Sequence, residues 1–197
     1  EAMAALASRG DMAIIGLGVG AAAAYAVPGQ RVLFLEIDPE VVHIARTYFS
    51  YLGGCRGEVE VRVGDGLALL RAAAGERFRV IILDAYDEQD VPTHFLQRAA
   101  IHVLLEHLSD DGALIVAATH GQDAVAPVVA ALAAELGLAF ATRLEVIDAE
   151  EERRSERQTS RYCALARDPA RLAHLVDDCG WQTWLGPQAP EAPTRER

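Results

Sequence analysis

Positive charge is scarce in this chain. Eighteen Lys and Arg stand against 29 Asp and Glu in 197 residues, for a formal net charge of -11 and a pI near 4.9. A protein that grips a phosphate backbone needs clustered cations, so this balance excludes a nucleic-acid-binding surface. Cysteine is rarer still: Cys55, Cys163 and Cys179 are an odd set with no C-x-x-C pair and no metal-ligand spacing. They support neither a disulfide framework nor a bound metal, and they fit a reducing, cytoplasmic setting. No basic stretch followed by an apolar one opens the chain, so no signal peptide is read; the first residue is Glu1, not Met, as in an excised domain. Charge is missing altogether from "MAIIGLGVGAAAAYAVPGQ" (12–30), nineteen residues that are long enough to span a bilayer. Most of them are Gly and Ala, weak in membrane transfer, and Pro28–Gly29 closes the run. A strand–loop–helix unit accounts for it better than membrane insertion.

What is present is apolar and ordered. Half the residues, 51%, are hydrophobic, enough for one domain with a full core. Apolar runs alternate with helix-like segments: strands are expected at 12–17, 31–37, 59–65, 78–85 and 112–119. Helices are expected between and after them at 20–27, 38–52, 66–75, 93–108 and 126–137, with Thr93 as a cap. Strands that are apolar on both faces and alternate with helices imply a parallel sheet covered on both sides. The ending differs, because strands at 139–148 and 160–168 flank only the charged stretch "EEERRSERQTSR" (150–161), read as a solvated loop. Without a helix to cross over, that pair should be antiparallel. A last helix is expected at 169–180; the single domain is taken to run over 1–185, with a loose Pro-rich tail at 186–197.

Ligands of such sheets bind beyond the carboxyl ends of the strands, so the residues that follow each strand matter most. After the first comes "GLGVG" (16–20), where Gly16, Gly18 and Gly20 let the backbone approach a ligand and leave helix-start N–H groups free. Glu36 ends the second strand, placed to accept both hydroxyls of a ribose. The third ends at Asp65, followed by Gly66, and the fourth at Asp84. Gly16-x-Gly18-x-x-Ala21 also satisfies a dinucleotide fingerprint, which keeps a nicotinamide enzyme in view. A glycine loop, a ribose acid, a third-strand acid and a terminal antiparallel pair together favour a nucleoside site of the S-adenosylmethionine type.

In this company "GLGVG…LEID…GDG…LDAYD…VPTHFL" resembles the spermidine synthase family, and its bacterial spermidine-synthase-like branch in particular. The resemblance implies a Rossmann-like α/β methyltransferase fold with a seven-stranded, mostly parallel sheet and a C-terminal antiparallel pair. It implies that Glu36 holds a ribose and Asp65 an adenine. Asp84 and Asp87 match the family's D-x-x-D, the first as base and the second holding the amine. The implied donor is decarboxylated S-adenosylmethionine or S-adenosylmethionine itself, without a metal, and the implied partner is a small amine, with a homodimer as the expected assembly.

That reaction would explain why four acids, Asp84, Asp87, Glu88 and Asp90, crowd into "DAYDEQD". An alkylammonium has no lone pair until a base takes its proton, and paired carboxylates can bind the cation and then deprotonate it. Glu88 and Asp90 read equally as loop polarity. Tyr86 and His94 are the further candidates for the acceptor pocket. Three features depart from the family pattern: Val19 stands where the glycine motif carries an acid, the loop lacks the usual Ser/Thr and Asp-Pro, and only about eleven residues precede the first strand. Two alternatives therefore stand beside aminopropyl transfer, a small-molecule methyltransferase and a non-catalytic nucleoside-binding domain.

Overall fold

Short runs of β-branched and aliphatic residues build the middle of the sheet in the computed structural model, which describes residues 10–87, 91–119, 122–155 and 158–183. The strands are β1 (Met12–Ile15), β2 (Arg31–Glu36), β3 (Glu58–Val63), β4 (Phe78–Leu83), β5 (Leu108–Ala118), β6 (Ala139–Glu145), β7 (Ser160–Ala166) and the two-residue β8 (Gln182–Thr183). They form one sheet in the order β3-β2-β1-β4-β5-β7-β6-β8. Strands β1 to β5 pair in parallel, and β7 runs antiparallel to both β5 and β6. The chain order reverses between β1 and β4, the position where an open α/β sheet leaves a crevice at its carboxyl edge. This is the Rossmann-like architecture expected, with β8 as an added edge strand.

Alternation divides the strand residues between two cores. Ala13, Ile15, Ile81 and Leu83 face one side, with α2 (Gly66–Ala72), α3 (Arg98–Glu106) and α4 (Gln122–Leu136) laid over them. Met12, Ile14, Val80 and Ile82 face the other, covered by a five-residue 3-10 helix (Ala21–Tyr25), α1 (Pro39–Tyr48) and α6 (Ala170–Cys179). Each fully buried Leu or Ile contributes roughly 1.5–3 kcal/mol, which is why both faces are committed to helices.

Local chemistry moves several expected boundaries. The helix anticipated at 93–108 begins only at Arg98, with Gln97 in the cap position; Thr93 instead opens a tight turn, where Leu96 N donates to Thr93 O at 3.1 Å. That turn tucks Val91 and Phe95 into the core, and burying them outweighs an extra helical turn. The segment 20–27 is a short 3-10 helix because Gly20 enters it at φ 82 and the extended Ala26 ends it. The connection between β6 and β7 is not merely a charged loop but contains α5 (Ala149–Ser155). Asp148 Oδ1 accepts from Glu150 N and Glu151 N at 2.9 and 2.8 Å, acids fill the first turn, and Arg153 and Arg154 lie in the last. Both ends suit the helix dipole. The tail at 186–197, with Glu88 and Asp90, lies outside the described residues.

Candidate active site

The carboxyl ends of β1, β2 and β4 are tied together by backbone. Gly16 N donates to Leu35 O and Asp84 N to Ile15 O, both at 2.9 Å. Gly16 has φ 98, and a Cβ there would sit 2.1 Å from Asp84 O, so only glycine lets the exit of β4 pass this close. Gly18, at φ 52, has nothing within 4 Å of where its Cβ would be, so the loop is open on that side. Gly20 starts the 3-10 helix and packs on Leu52.

The acids at the strand ends do different jobs. Glu36 is 7% exposed, and its Oε2 accepts from Leu17 N at 2.8 Å while Oε1 accepts from Asp38 N at 2.9 Å. Those bonds use two of about four lone-pair positions of a carboxylate and fix the glycine loop against β2. Asp65 is exposed and caps α2, with Ala68 N donating to its Oδ1 at 2.7 Å. Gly66 follows because a Cβ there would meet the Ile15 side chain at 2.8 Å.

Asp84 stands at the mouth of a cavity of about 830 Å³ on the α6 side of the sheet. Its carboxylate is open to solvent on the cavity side, yet the protein packed around the rest of it raises its pKa above the ordinary aspartate value. A hydrogen bond from Tyr86 partly offsets that rise. Burial first, and then the charge of Asp84, push the Tyr86 phenol upward in turn. The Tyr86 hydroxyl lies 3.2 Å from Thr119 Oγ1, and Ser160 Oγ donates to the same atom at 3.4 Å. A polar chain thus runs along the ends of β4, β5 and β7, holding Tyr86 and through it Asp84.

Register explains the rest of the cavity floor. Ile82 pairs with Ile115 and Ala117 with Tyr162, which pairs with Arg143, so Asp84 falls on the row Ala117–Tyr162–Arg143. Thr119, Ser160 and Glu145 lie two residues further along, on the next row that faces the same side. Tyr25, Tyr51 and Trp181 complete the walls. Asp87 is exposed beyond the cavity; His94 is exposed in the turn before α3, its ring 4.2 Å from that of Phe95 and away from the cavity. Of the expected acceptor residues, Asp84 and Tyr86 therefore share the cavity, whereas Asp87 and His94 do not line it. Thr119, Arg143, Glu145 and Tyr162 were missed by motif reading. Thr119 had a signal, a polar residue ending an apolar strand as Asp84 does, and the alternating "TRLE" of β6 hinted at a polar face. Among the described residues no group of three or more His, Cys, Asp or Glu is placed to hold a metal, and no helix is long and apolar enough to cross a membrane.

A reversed strand order, a mostly parallel sheet and a C-terminal antiparallel pair define the Rossmann-like methyltransferase class of α/β folds. Within it, a family model for the spermine/spermidine synthase domain matches residues 11–134, and the chain belongs to that family. A curated polyamine aminopropyltransferase from Vibrio vulnificus (strain CMCP6) is 32% identical over 107 residues, covering 52% of this chain and 35% of its own length. The chain thus spans about a third of that relative. A probable spermidine synthase from Corynebacterium glutamicum superposes with a TM-score of 0.63 at 17% identity, over 80% of this chain and 56% of the other. Human methyltransferase-like protein 13, solved in complex with SAH, gives 0.62 at 18%, over 86% and 77%. These two likenesses concern the fold.

Proposed function

We infer that this chain is the donor-binding catalytic part of an aminopropyltransferase-like enzyme, with decarboxylated S-adenosylmethionine as donor and a small amine as acceptor. The observation that supports the reading is Asp84, a carboxylate of raised pKa that lines the cavity together with Tyr86, with its backbone N–H bonded to Ile15 O beside the glycine loop. The nucleoside would lie over Gly18 between Glu36 and Asp65, and the acceptor would enter the cavity from the other side of Asp84. In the transfer the acceptor nitrogen forms a bond to the aminopropyl carbon attached to sulfur. The carbon–sulfur bond breaks, and its electron pair leaves with sulfur as neutral methylthioadenosine. The nitrogen's extra proton passes to Asp84. A carboxylate whose pKa has risen toward the working pH is a stronger base than an ordinary aspartate, which suits that last step. Asp87, outside the cavity, fits an approach role for a cationic acceptor. Three free cysteines agree with a reducing, cytoplasmic site of action.

Val19, 37% exposed in the glycine loop, favours a second reading. An acid at that place would repel the carboxylate of S-adenosylmethionine, and its absence opens the site to methyl transfer on the same scaffold. The test is a full-length Asp84→Asn variant assayed with both donors. Turnover should fall by roughly 10²–10⁴-fold, while methylthioadenosine still binds with nearly its original affinity. Retained turnover would remove Asp84 as base, and S-adenosylhomocysteine as the main product would make the enzyme a methyltransferase.

A further inference from the structure

The cavity is larger than a diamine needs, and aromatic rings form much of its wall. Gly16, Glu36 and Asp65 do not line it, so on the reading above the donor's nucleoside lies outside and the space is left to the acceptor. Its volume of about 830 Å³ falls in the range, roughly 300–1,000 Å³, that encloses a drug-sized ligand. Three tyrosines converge on it from separate segments: Tyr25 from the 3-10 helix, Tyr51 from the turn after α1 and Tyr86 from beyond β4. They are 45%, 41% and 42% exposed. One exposed aromatic is ordinary, but three that share a concavity offer apolar surface that the body of a ligand can cover. Ala117, the register neighbour of Asp84, is the smallest side chain on its row and leaves room beside the carboxylate. Tyr162 closes that row one strand further on.

Charge on the wall is uneven. Asp84 stands at one end, and Glu145, the other acid lining the cavity, already has an interaction partner. Arg143, beyond Tyr162, donates through Nη1 to Cys179 O at 2.9 Å. Among the described residues it makes no ion pair. A second ammonium in this cavity would meet a guanidinium, with no further unengaged carboxylate among the described lining residues to receive it. That arrangement selects against a diamine. An apolar body meets no such penalty.

We propose that the acceptor is an arylalkylamine, a primary monoamine on an uncharged aromatic body about the size of 2-phenylethylamine. Its nitrogen lies at Asp84, and its ring packs against Tyr25 and Tyr51 over the apolar floor of Ile82 and Ile115. This inference rests on the reading that Asp84 faces the acceptor amine. The transfer step is unchanged: the nitrogen gains the aminopropyl carbon, sulfur keeps the electron pair of the broken carbon–sulfur bond, and Asp84 takes the proton. Offset and edge-to-face contacts with the tyrosines favour an aromatic body over an alkyl chain.

The test is calorimetric titration of the full-length protein, saturated with methylthioadenosine, with 2-phenylethylamine and 1,4-diaminobutane. The aryl amine should bind roughly tenfold or more tighter than the diamine. Tyr51→Ala should lose roughly fivefold or more for 2-phenylethylamine, while its affinities for methylthioadenosine and the diamine hold. Arg143→Gln should improve 1,4-diaminobutane by roughly threefold or more and leave 2-phenylethylamine unchanged, a gain that misfolding would not produce. Equal or tighter binding of the diamine by the parent, indifference of 2-phenylethylamine to Tyr51→Ala, no gain for the diamine in Arg143→Gln, or no binding by either amine overturns the proposal. Turnover with decarboxylated S-adenosylmethionine in the same samples separates the two readings. Tyr51-dependent binding of the aryl amine without product removes the transfer reading alone, whereas product from the diamine only removes the arylalkylamine alone.

Discussion

Gly16 ends β1 with a positive φ and with Asp84 O where a side chain would begin, two constraints that no other residue meets. Gly16→Ala should therefore cost about 3 kcal/mol or more, from left-handed strain and the clash together. Gly18→Ala has only the first constraint, so about 1–2 kcal/mol is expected. Urea melts of both variants compare them directly, and equal losses would contradict the geometry. At Asp84 the sign of a pH effect follows from its raised pKa. Below the unfolded value of about 3.9 the carboxyl is neutral in both states. Its contribution to stability is complete there and is lost as pH rises through the higher folded value. Asp84→Asn, which keeps an acceptor for Tyr86, should melt roughly 1–3 °C above the parent at pH 8. The difference should vanish near pH 3.5; a gap that widened in acid would contradict the burial argument.

Elements are held by caps whose identity sequence spacing only partly reveals. Asp38, which the sequence reading did not single out, caps α1: Glu40 N donates to its Oδ1 at 2.8 Å. Thr93 was the expected cap but opens a turn, because placing Val91 and Phe95 in the core displaces the helix start to Arg98. Asp38→Ala should cost about 1 kcal/mol and Thr93→Ala less than about 0.5 kcal/mol. A larger loss at Thr93 would restore it as a cap. Helix α5 was hidden for the opposite reason. Its sequence has almost no apolar face, so its capping by Asp148 and its dipole-matched charges carry no hydrophobic period to detect.

For the whole molecule, two cores on one sheet mean that neighbours in sequence live in different surroundings. Ile81 is fully buried under helices, whereas Ile82 points into the second face and lines the cavity. Ile81→Ala should cost about 2–5 kcal/mol. Ile82→Ala should cost about half as much, since the site already borders open space, and should instead raise the acceptor KM. Denaturation curves with steady-state kinetics on both variants test the division; equal destabilisation with unchanged kinetics would contradict it.

The strand–helix alternation, the parallel order and the acids Glu36, Asp65 and Asp84 at strand ends were determined by the sequence alone. Hydrophobic period, glycine freedom and the residue that closes an apolar run are local properties, readable within a dozen residues. Only the tertiary structure decided that Arg143, Glu145, Tyr162 and Trp181 share a cavity with Asp84 while Asp87 and His94 stay outside it. That outcome depends on β5 and β7 lying between β4 and β6, and on a register that sets Ala117, Tyr162 and Arg143 in one row. Pairing between distant strands is chosen by the packing of both sheet faces at once, and no local segment encodes it.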